Sequence, residues 1–189
     1  EYAPLVQELG GEVVNISVDS STYFNPLDFK PDKSTDIPPY VAKAEFVLSL
    51  CEQIMKKENV LPGDRSLIDR ALRSIYKPLI ESKYTAPCPT IKDLWAALNS
   101  QGDNRSKELA LALEIFATGS MQVFAQPTNV DMSNRLICFN IQSLGEQLKP
   151  VAMLSMLEYI NKSNRPINLV KDRLRSCDRH FIRINRHIT

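Results

Sequence analysis

The chain has 189 residues, of which 43% are hydrophobic and 24% charged, and its formal net charge is +1. This composition is typical of a globular protein and excludes binding of nucleic acid or of an acidic partner through whole-chain charge alone. The longest apolar runs are too short to cross a bilayer, and no signal-peptide pattern opens the sequence. Four cysteines without a C-x-x-C pair predict a reducing, cytoplasmic setting.

The first predicted elements are a helix and a strand. The apolar face of the helix is formed by Tyr2, Leu5, Val6 and Leu9. Gly10-Gly11 ends this helix, and a β-branched run over residues 13–18 predicts the strand. A helix followed by a strand is half of a βαβ unit. Residues 19–39 contain four prolines and predict a linker.

A strongly apolar helix from Val41 to Met55 is the centre of the predicted fold. Such a helix needs cover on several sides, so further helices must pack around it. Pro38 and Pro39 suit its first turn, where a missing N–H costs little. We expect only its polar residues to face water, namely Lys43, Glu45, Ser49, Glu52 and Gln53.

Three more helices are predicted after the central one. Pro62 opens the first of them, and Pro78 begins a proline-rich stretch that predicts a loop. Thr90 and Asp93 form a capping-box pattern at the start of the next helix, whose apolar stripe includes Trp95. The apolar stripe of the last helix consists of Leu109, Ala112, Leu113 and Phe116.

The chain then returns to a strand and a helix. Arg135 to Ile141 is nearly all apolar, which is typical of a parallel strand covered on both faces. Pro150 suits the first turn of a helix that extends to Asn161. The order helix–strand, four helices, strand–helix predicts an α/β fold that is predominantly helical, with an all-α insertion between two strands of its sheet.

The last segment, residues 162–189, is basic, with eight Lys and Arg against two Asp. It suits an amphipathic strand, a nucleic-acid-binding tail or a solvated end, and all three interpretations stay open. Cys177-x-x-His180 has metal-like spacing, but too few ligands accompany it to predict a zinc site. The candidate nucleic-acid-binding residues are Lys171, Arg173, Arg175, Arg179, Arg183 and Arg186.

No catalytic motif is visible in the sequence. It contains no G-x-x-x-x-G-K-[ST] phosphate loop, and no apolar strand ends in Asp-Glu to hold Mg²⁺. Both histidines lie in the basic segment, so a Ser-His-Asp arrangement has no support. We therefore predict no catalytic, cofactor-binding or metal-binding residue in this chain.

Several short stretches nevertheless resemble the large conjugative-transfer ATPase of type IV secretion systems, especially the form carried by conjugative elements of Gram-positive bacteria. The first half of the resemblance consists of Glu1-Tyr2 with Leu5-Val6 and Leu9-Gly10-Gly11, Val14-Asn15-Ile16-Ser17, Asn25-Pro26-Leu27-Asp28 and Ala44-Glu45-Phe46-Val47-Leu48-Ser49-Leu50-Cys51-Glu52. The second half consists of Ile68-Asp69-Arg70, Ala117-Thr118-Gly119-Ser120-Met121-Gln122-Val123-Phe124, Thr128-Asn129-Val130-Asp131, Asn134-Arg135-Leu136-Ile137-Cys138-Phe139-Asn140-Ile141 and Leu144-Gly145-Glu146-Gln147-Leu148-Lys149.

This resemblance implies a RecA-like nucleotide-binding core with an inserted all-α domain, and hydrolysis of ATP with Mg²⁺ by the full-length family. It also implies ring-like assembly at the cytoplasmic face of the membrane, with other ATPase subunits and components of a DNA- or protein-transfer machine as partners. Residues 1–39 and 119–163 would belong to a partial RecA-like core, residues 40–118 to the all-α insertion and residues 164–189 to the basic tail. The family's phosphate loop would precede Glu1, and its Asp-Glu strand has no counterpart in this sequence, so no catalytic residue carries over.

These observations predict a fragment or truncated relative of that ATPase, which is inactive by itself and acts through contacts with subunits or partners. A partial sheet exposes apolar edges, so we also expect self-association. The alternative is a stand-alone nucleic-acid-binding or interaction module that uses the basic tail. Binding of DNA by that tail would weaken steeply with salt.

Overall fold

The fold was obtained as a computed structural model, which describes residues 2–17, 19–29, 31, 37–130, 134, 136–146, 148–162, 167–168 and 183–184. Helix α1 (Tyr2–Glu8) and strand β1 (Glu12–Asn15) come first. Four helices follow: α2 (Pro39–Met55), α3 (Asp64–Glu81), α4 (Ile91–Ser100) and α5 (Asn104–Ala117). We call these four helices and their connections, residues 39–117, the helical block.

Strand β2 (Ile137–Asn140) and helix α6 (Lys149–Lys162) follow the helical block. The two short strands β3 (Ile167–Asn168) and β4 (Arg183–Ile184) then pair with each other in antiparallel orientation. Single 3₁₀ turns lie at Lys57–Asn59 and Gln122–Phe124. The predicted order of helices and strands up to α6 is therefore confirmed.

Strands β1 and β2 form a parallel pair, although the whole helical block separates them in sequence. The register places Glu12 opposite Ile137 and Asn15 opposite Asn140. Ile137, Cys138 and Phe139 are all buried, as the apolar run in this strand predicts. The helical block is thus inserted in the sequence between two strands that are neighbours in the sheet.

Two glycines make the turn from α1 into β1. Gly10 has a φ of +71°, a left-handed conformation that glycine adopts without steric cost. A Cβ at Gly11 would lie 2.6 Å from Val6 Cγ1 and 2.8 Å from the backbone oxygen of Leu136. The first helix can therefore pack this closely on the start of β2 only because no side chain intervenes.

Helix α2 begins as predicted, with Pro38 at its N-cap and Pro39 in its first turn. Its burial pattern differs from the prediction at two residues. Lys43 is fully buried rather than exposed to water, whereas the apolar Val41 is 47% exposed. The spacing explains the difference, because Lys43 lies four residues before Val47 and seven before Leu50, and both of these are buried.

The proline prediction for α3 is wrong in one respect. Pro78 lies inside the helix, which continues to Glu81, and the exposed position lets the ring point away from the core. The backbone N–H of Ser82 still bonds to the carbonyl of Pro78, at 3.0 Å. The capping box of α4 is confirmed, since the Asp93 carboxylate accepts the backbone N–H of Thr90 at 2.7 Å.

Residues 19–29 are packed into the fold rather than acting only as a linker. Phe24 and Leu27 are completely buried. The Asn25 side chain is also buried, and it donates hydrogen bonds to Asp28 and to the Pro89 carbonyl, both at 2.9 Å. This segment contributes to one continuous hydrophobic core that also includes residues of α2 to α6 and both parallel strands. The helical block and the sheet are therefore held together by shared apolar packing.

Candidate functional site

The carboxyl ends of the parallel strands are the place where open α/β sheets commonly bind ligands. Asn15 and Asn140 end the two strands side by side, and the Asn140 Nδ2 donates to Asn15 Oδ1 at 2.9 Å. Asn140 Oδ1 also accepts the backbone N–H of Gln142 at 3.2 Å. Beyond β1, the Ser20 hydroxyl donates to the Asn15 carbonyl at 2.8 Å. This edge is polar and uncharged, and much of its hydrogen-bonding capacity is used internally.

These strand ends do not fit Mg²⁺ and ATP, the groups that the family resemblance implies. A bound triphosphate needs cationic side chains or a wrapping loop, and its magnesium needs carboxylate or hydroxyl ligands. Asn15 and Asn140 are neutral amides that bond to each other. In the part of the chain that the structure describes, no group of three or more His, Cys, Asp or Glu side chains is placed to hold a metal ion. We therefore derive no catalytic step at this edge.

Two stretches that carry the family resemblance meet beside the strands. The backbone N–H of Tyr23 bonds to Asn129 Oδ1 at 2.7 Å, and that of Asn25 bonds to Thr128 Oγ1 at 2.9 Å. The Asn129 Nδ2 in turn donates to the Ser21 carbonyl at 2.7 Å. More than 100 residues separate the partners in sequence. Asn129 and Thr128 thus fasten the chain that enters the helical block to the chain that leaves it.

A buried ion pair connects the helical block to α6. Lys43 of α2 donates to the Glu158 carboxylate of α6 at 2.9 Å and to the Pro26 carbonyl at 2.7 Å. The Lys43 side chain is 1% exposed and that of Glu158 is 16% exposed. Three separate parts of the chain therefore meet at one ammonium group, which we call the Lys43 joint.

A second buried ion pair lies inside the helical block. The Arg105 guanidinium holds both oxygens of Asp64, at 2.7 and 2.6 Å, and it also bonds to Glu108 and to the Asn59 carbonyl. Burial acts to raise the pKa of Asp64, but the hydrogen bonds from Arg105 and Leu61 and the charge of Arg105 outweigh it. The net result is a pKa below the ordinary value. This pair fixes the start of α3 against the start of α5.

The Cys51 thiol is buried beside that ion pair. Burial, followed by the negative charge of Asp64, raises the pKa of Cys51 to about 12. Burial also raises the pKa of Cys138 in β2 above its ordinary value. Thiols in this state are poor nucleophiles, because the thiolate is the reactive form. Both cysteines act here as small core side chains.

Large apolar side chains are exposed at several places, most of them in or near the helical block. Scattered exposed leucines are normal on a protein surface, but neighbouring ones mark a contact surface. Two pairs lie four residues apart, Leu5 on α1 with Leu9 just after it, and Leu111 with Ile115 on α5. Among the described residues, the exposed large apolar side chains are Leu5, Leu9, Ile37, Val41, Leu61, Ile80, Tyr84, Leu111 and Ile115.

The sequence-predicted nucleic-acid-binding residues are not placed by the structure. Lys171, Arg173, Arg175, Arg179 and Arg186 lie outside the described residues, as do Cys177 and His180. Arg183 is described only through its backbone in β4. Sequence reasoning missed the Lys43 joint, for which the buried spacing of Lys43, Val47 and Leu50 is the available signal. It also missed the Asp64–Arg105 pair, whose 41-residue separation leaves no local pattern.

The described residues define an α/β protein that is mostly helical, with a helical block between two neighbouring parallel strands. Among solved structures, the same fold occurs in VirB4 of Thermoanaerobacter pseudethanolicus, with a TM-score of 0.70 and 19% sequence identity. The match covers 86% of this chain but only 65% of the VirB4 chain. No family model matches the sequence, and no curated protein matches it either. At 19% identity, the likeness establishes a shared fold and leaves activity to be argued separately.

One further property concerns membranes. In the described ranges, no helix is both long and apolar enough to span a bilayer.

Proposed function

We propose that this chain is a relative, or a piece, of a type IV secretion ATPase, and that these 189 residues act through contacts rather than by hydrolysing ATP. The observation that carries the proposal is the shared fold with VirB4, which extends over 86% of the chain. The residues that resemble the conjugative-transfer ATPase also support the proposal, because that resemblance rests on the sequence rather than on the fold. VirB4 is a type IV secretion ATPase, so both lines of reasoning lead to the same family.

The proposed contact role rests on two observations, the absence of ATP-hydrolysis motifs from the sequence and the exposed apolar side chains of the helical block. The sequence contains no phosphate loop, and the described strand ends are neutral amides. Phosphoryl transfer depends on positioned cations and metal-bound carboxylates, so these residues alone do not supply it. The helical block instead offers exposed apolar side chains on a rigid core. In the proposal, a partial RecA-like sheet anchors an all-α insertion that contacts neighbouring ATPase subunits or other parts of the transfer machine.

The contact role is tested by capture from the cells that encode the chain. A photo-reactive residue is introduced at an exposed position of the helical block, such as Ile80, and at Glu8 on α1 as a control outside the block. Cross-linked products are then identified by mass spectrometry. We expect a type IV secretion component linked through position 80. Products that contain only unrelated proteins, or none, contradict the proposed role.

A further inference from the structure

Helix α5 carries an apolar pair on the side that faces away from the core. Its buried side chains, among them Leu109, Leu113 and Phe116, pack into the hydrophobic core. Leu111 is 70% exposed and Ile115 is 43% exposed. These two residues lie four positions apart and therefore on one face of the helix, one above the other. A leucine this exposed, with an apolar neighbour one turn away, suits a surface that another helix covers.

Charged side chains of opposite sign flank this apolar pair. Lys107 and Glu114 are both exposed, and no ion pair joins either of them to another described residue. At 3.6 residues per turn, they lie about 40° and 60° to one side of Leu111, whereas Ile115 lies about 40° to the other side. Along the helix axis, Lys107 is about 6 Å before Leu111 and Glu114 is about 4.5 Å after it. The flank that carries Lys107 and Glu114 is therefore positive before Leu111 and negative after it. On the opposite flank, the exposed Glu108 bonds to Arg105.

Such a surface is complementary to itself when two copies are antiparallel. A two-fold axis through Leu111 brings the same flank of both helices together, because isologous contacts pair each residue i with j and j with i. Leu111 then meets Leu111 of the second copy, and Lys107 lies within about 1.5 Å in height of Glu114 of the second copy. The symmetry repeats that ion pair on the other end. A parallel two-fold pair would instead place these flanks on opposite sides of the contact, and Lys107 of one copy would lie about 10 Å in height from Glu114 of the other.

We propose that the outer face of α5 is the contact site for a second copy of this chain, in an antiparallel two-fold pair centred on Leu111. The inference deepens the proposed function, because it names one partner of the helical block, yet its observations are those of α5 alone. One pair of helices buries less surface than a standard interface of about 1,600 Å², so the dimer belongs to the weak class. We expect a dissociation constant of about 10–100 μM.

The first test is sedimentation equilibrium of the full chain over a concentration series, with Leu111→Ser as the disrupting variant. Leu9→Ser is the matched control, because Leu9 is 67% exposed and directly follows α1, outside the helical block. We expect Leu111→Ser to raise the dissociation constant at least tenfold and Leu9→Ser to change it less than twofold. Circular dichroism verifies that both variants fold. A chain that stays monomeric to 500 μM, or a dimer that Leu111→Ser does not weaken, overturns the proposal.

The second test uses charge reversal to read the orientation of the pair. Lys107→Glu and Glu114→Lys each place like charges across the two-fold axis, so each variant alone should dimerise about three- to tenfold more weakly. Mixing the two variants restores both ion pairs in the heterodimer, and labelled Lys107→Glu should therefore associate with Glu114→Lys as tightly as the original chain does. Absence of this rescue overturns the antiparallel arrangement. The result is separable from the proposed function, because dimerisation and capture of secretion components are measured independently.

Discussion

Replacing Lys43 with methionine tests how strongly the Lys43 joint holds the helical block to α6. Methionine retains most of the buried apolar stem but removes the ammonium group that bonds to Glu158 and to the Pro26 carbonyl. Breaking a buried ion pair from one side typically costs 3–5 kcal/mol, and the partial exposure of Glu158, at 16%, reduces this. We expect the free energy of unfolding to fall by about 2–4 kcal/mol. Lys77→Met is the matched control, because the Lys77–Glu81 pair is exposed and should contribute less than about 0.5 kcal/mol.

The assay is urea unfolding followed by circular dichroism, completed as a double-mutant cycle with Glu158→Leu. If the two side chains stabilise the fold through each other, Lys43→Met and Glu158→Leu together should cost less than the sum of the single changes, by about 1–3 kcal/mol. A destabilisation by Lys43→Met below 0.5 kcal/mol, or strict additivity in the cycle, would refute the reasoning. Either result would mean that apolar packing alone positions α2 against α6.

Three further predictions follow from the same core. The pKa of Asp64 in the folded chain is below its value of about 3.9 in the unfolded chain. The ionised carboxylate should therefore contribute its full stabilisation above about pH 3.9, and this contribution should disappear as the pH falls through the folded pKa. Asp64→Asn should therefore flatten the acid side of a stability–pH curve measured by urea unfolding, and an unchanged acid slope would contradict this. Because Cys51 is completely buried and burial raises its pKa to about 12, it should react with a thiol reagent at pH 8 only as fast as the chain opens. The labelling rate is measured in a variant without the other three cysteines, and rapid labelling under native conditions argues against that burial. Gly11→Ala should lower the free energy of unfolding by more than about 2 kcal/mol, because its Cβ would clash with the Leu136 oxygen. Gly10→Ala has open space around it and should lower the free energy of unfolding by about 1 kcal/mol, the energy that alanine needs to adopt the left-handed conformation. Equal effects of the two alanines would rule out the close approach of α1 to β2.

Local patterns predict much of this fold, because several elements carry signals that act within a few residues. The capping box of Thr90 and Asp93 and the two prolines at the start of α2 are of this kind, and the structure contains both. The all-apolar run of β2 predicts a parallel strand because burial on both faces needs no polar alternation. The partner of that strand, β1, follows from the order of elements rather than from any residue-level match.

Two of the errors have a common physical origin, since each depends on a contact that is distant in sequence. Lys43 is a polar residue by type, and its burial becomes favourable only because Glu158 lies against it, 115 residues away. Residues 19–29 read as part of a linker because residues 19–39 contain four prolines and many short polar side chains. Asn25 and its neighbours are buried because Pro89, Thr128 and Asn129 supply hydrogen-bond partners from elsewhere in the chain. The candidate contact face on α5 has a local signal, because Leu111 and Ile115 lie off the predicted apolar stripe of that helix, but the sequence analysis did not use it.

The measurement that most directly tests the central claim is hydrolysis of Mg²⁺-ATP by the purified chain, followed as phosphate release over the concentration range that includes the proposed dimer. A chain that acts by contacts should release phosphate no faster than a heat-denatured sample at every concentration, because its sequence contains neither a phosphate-loop motif nor an apolar strand that ends in Asp-Glu. Phosphate release that follows the folded chain through gel filtration and saturates with ATP would contradict the account. In that case the neutral strand ends at Asn15 and Asn140 would need to be reconsidered as part of a catalytic site.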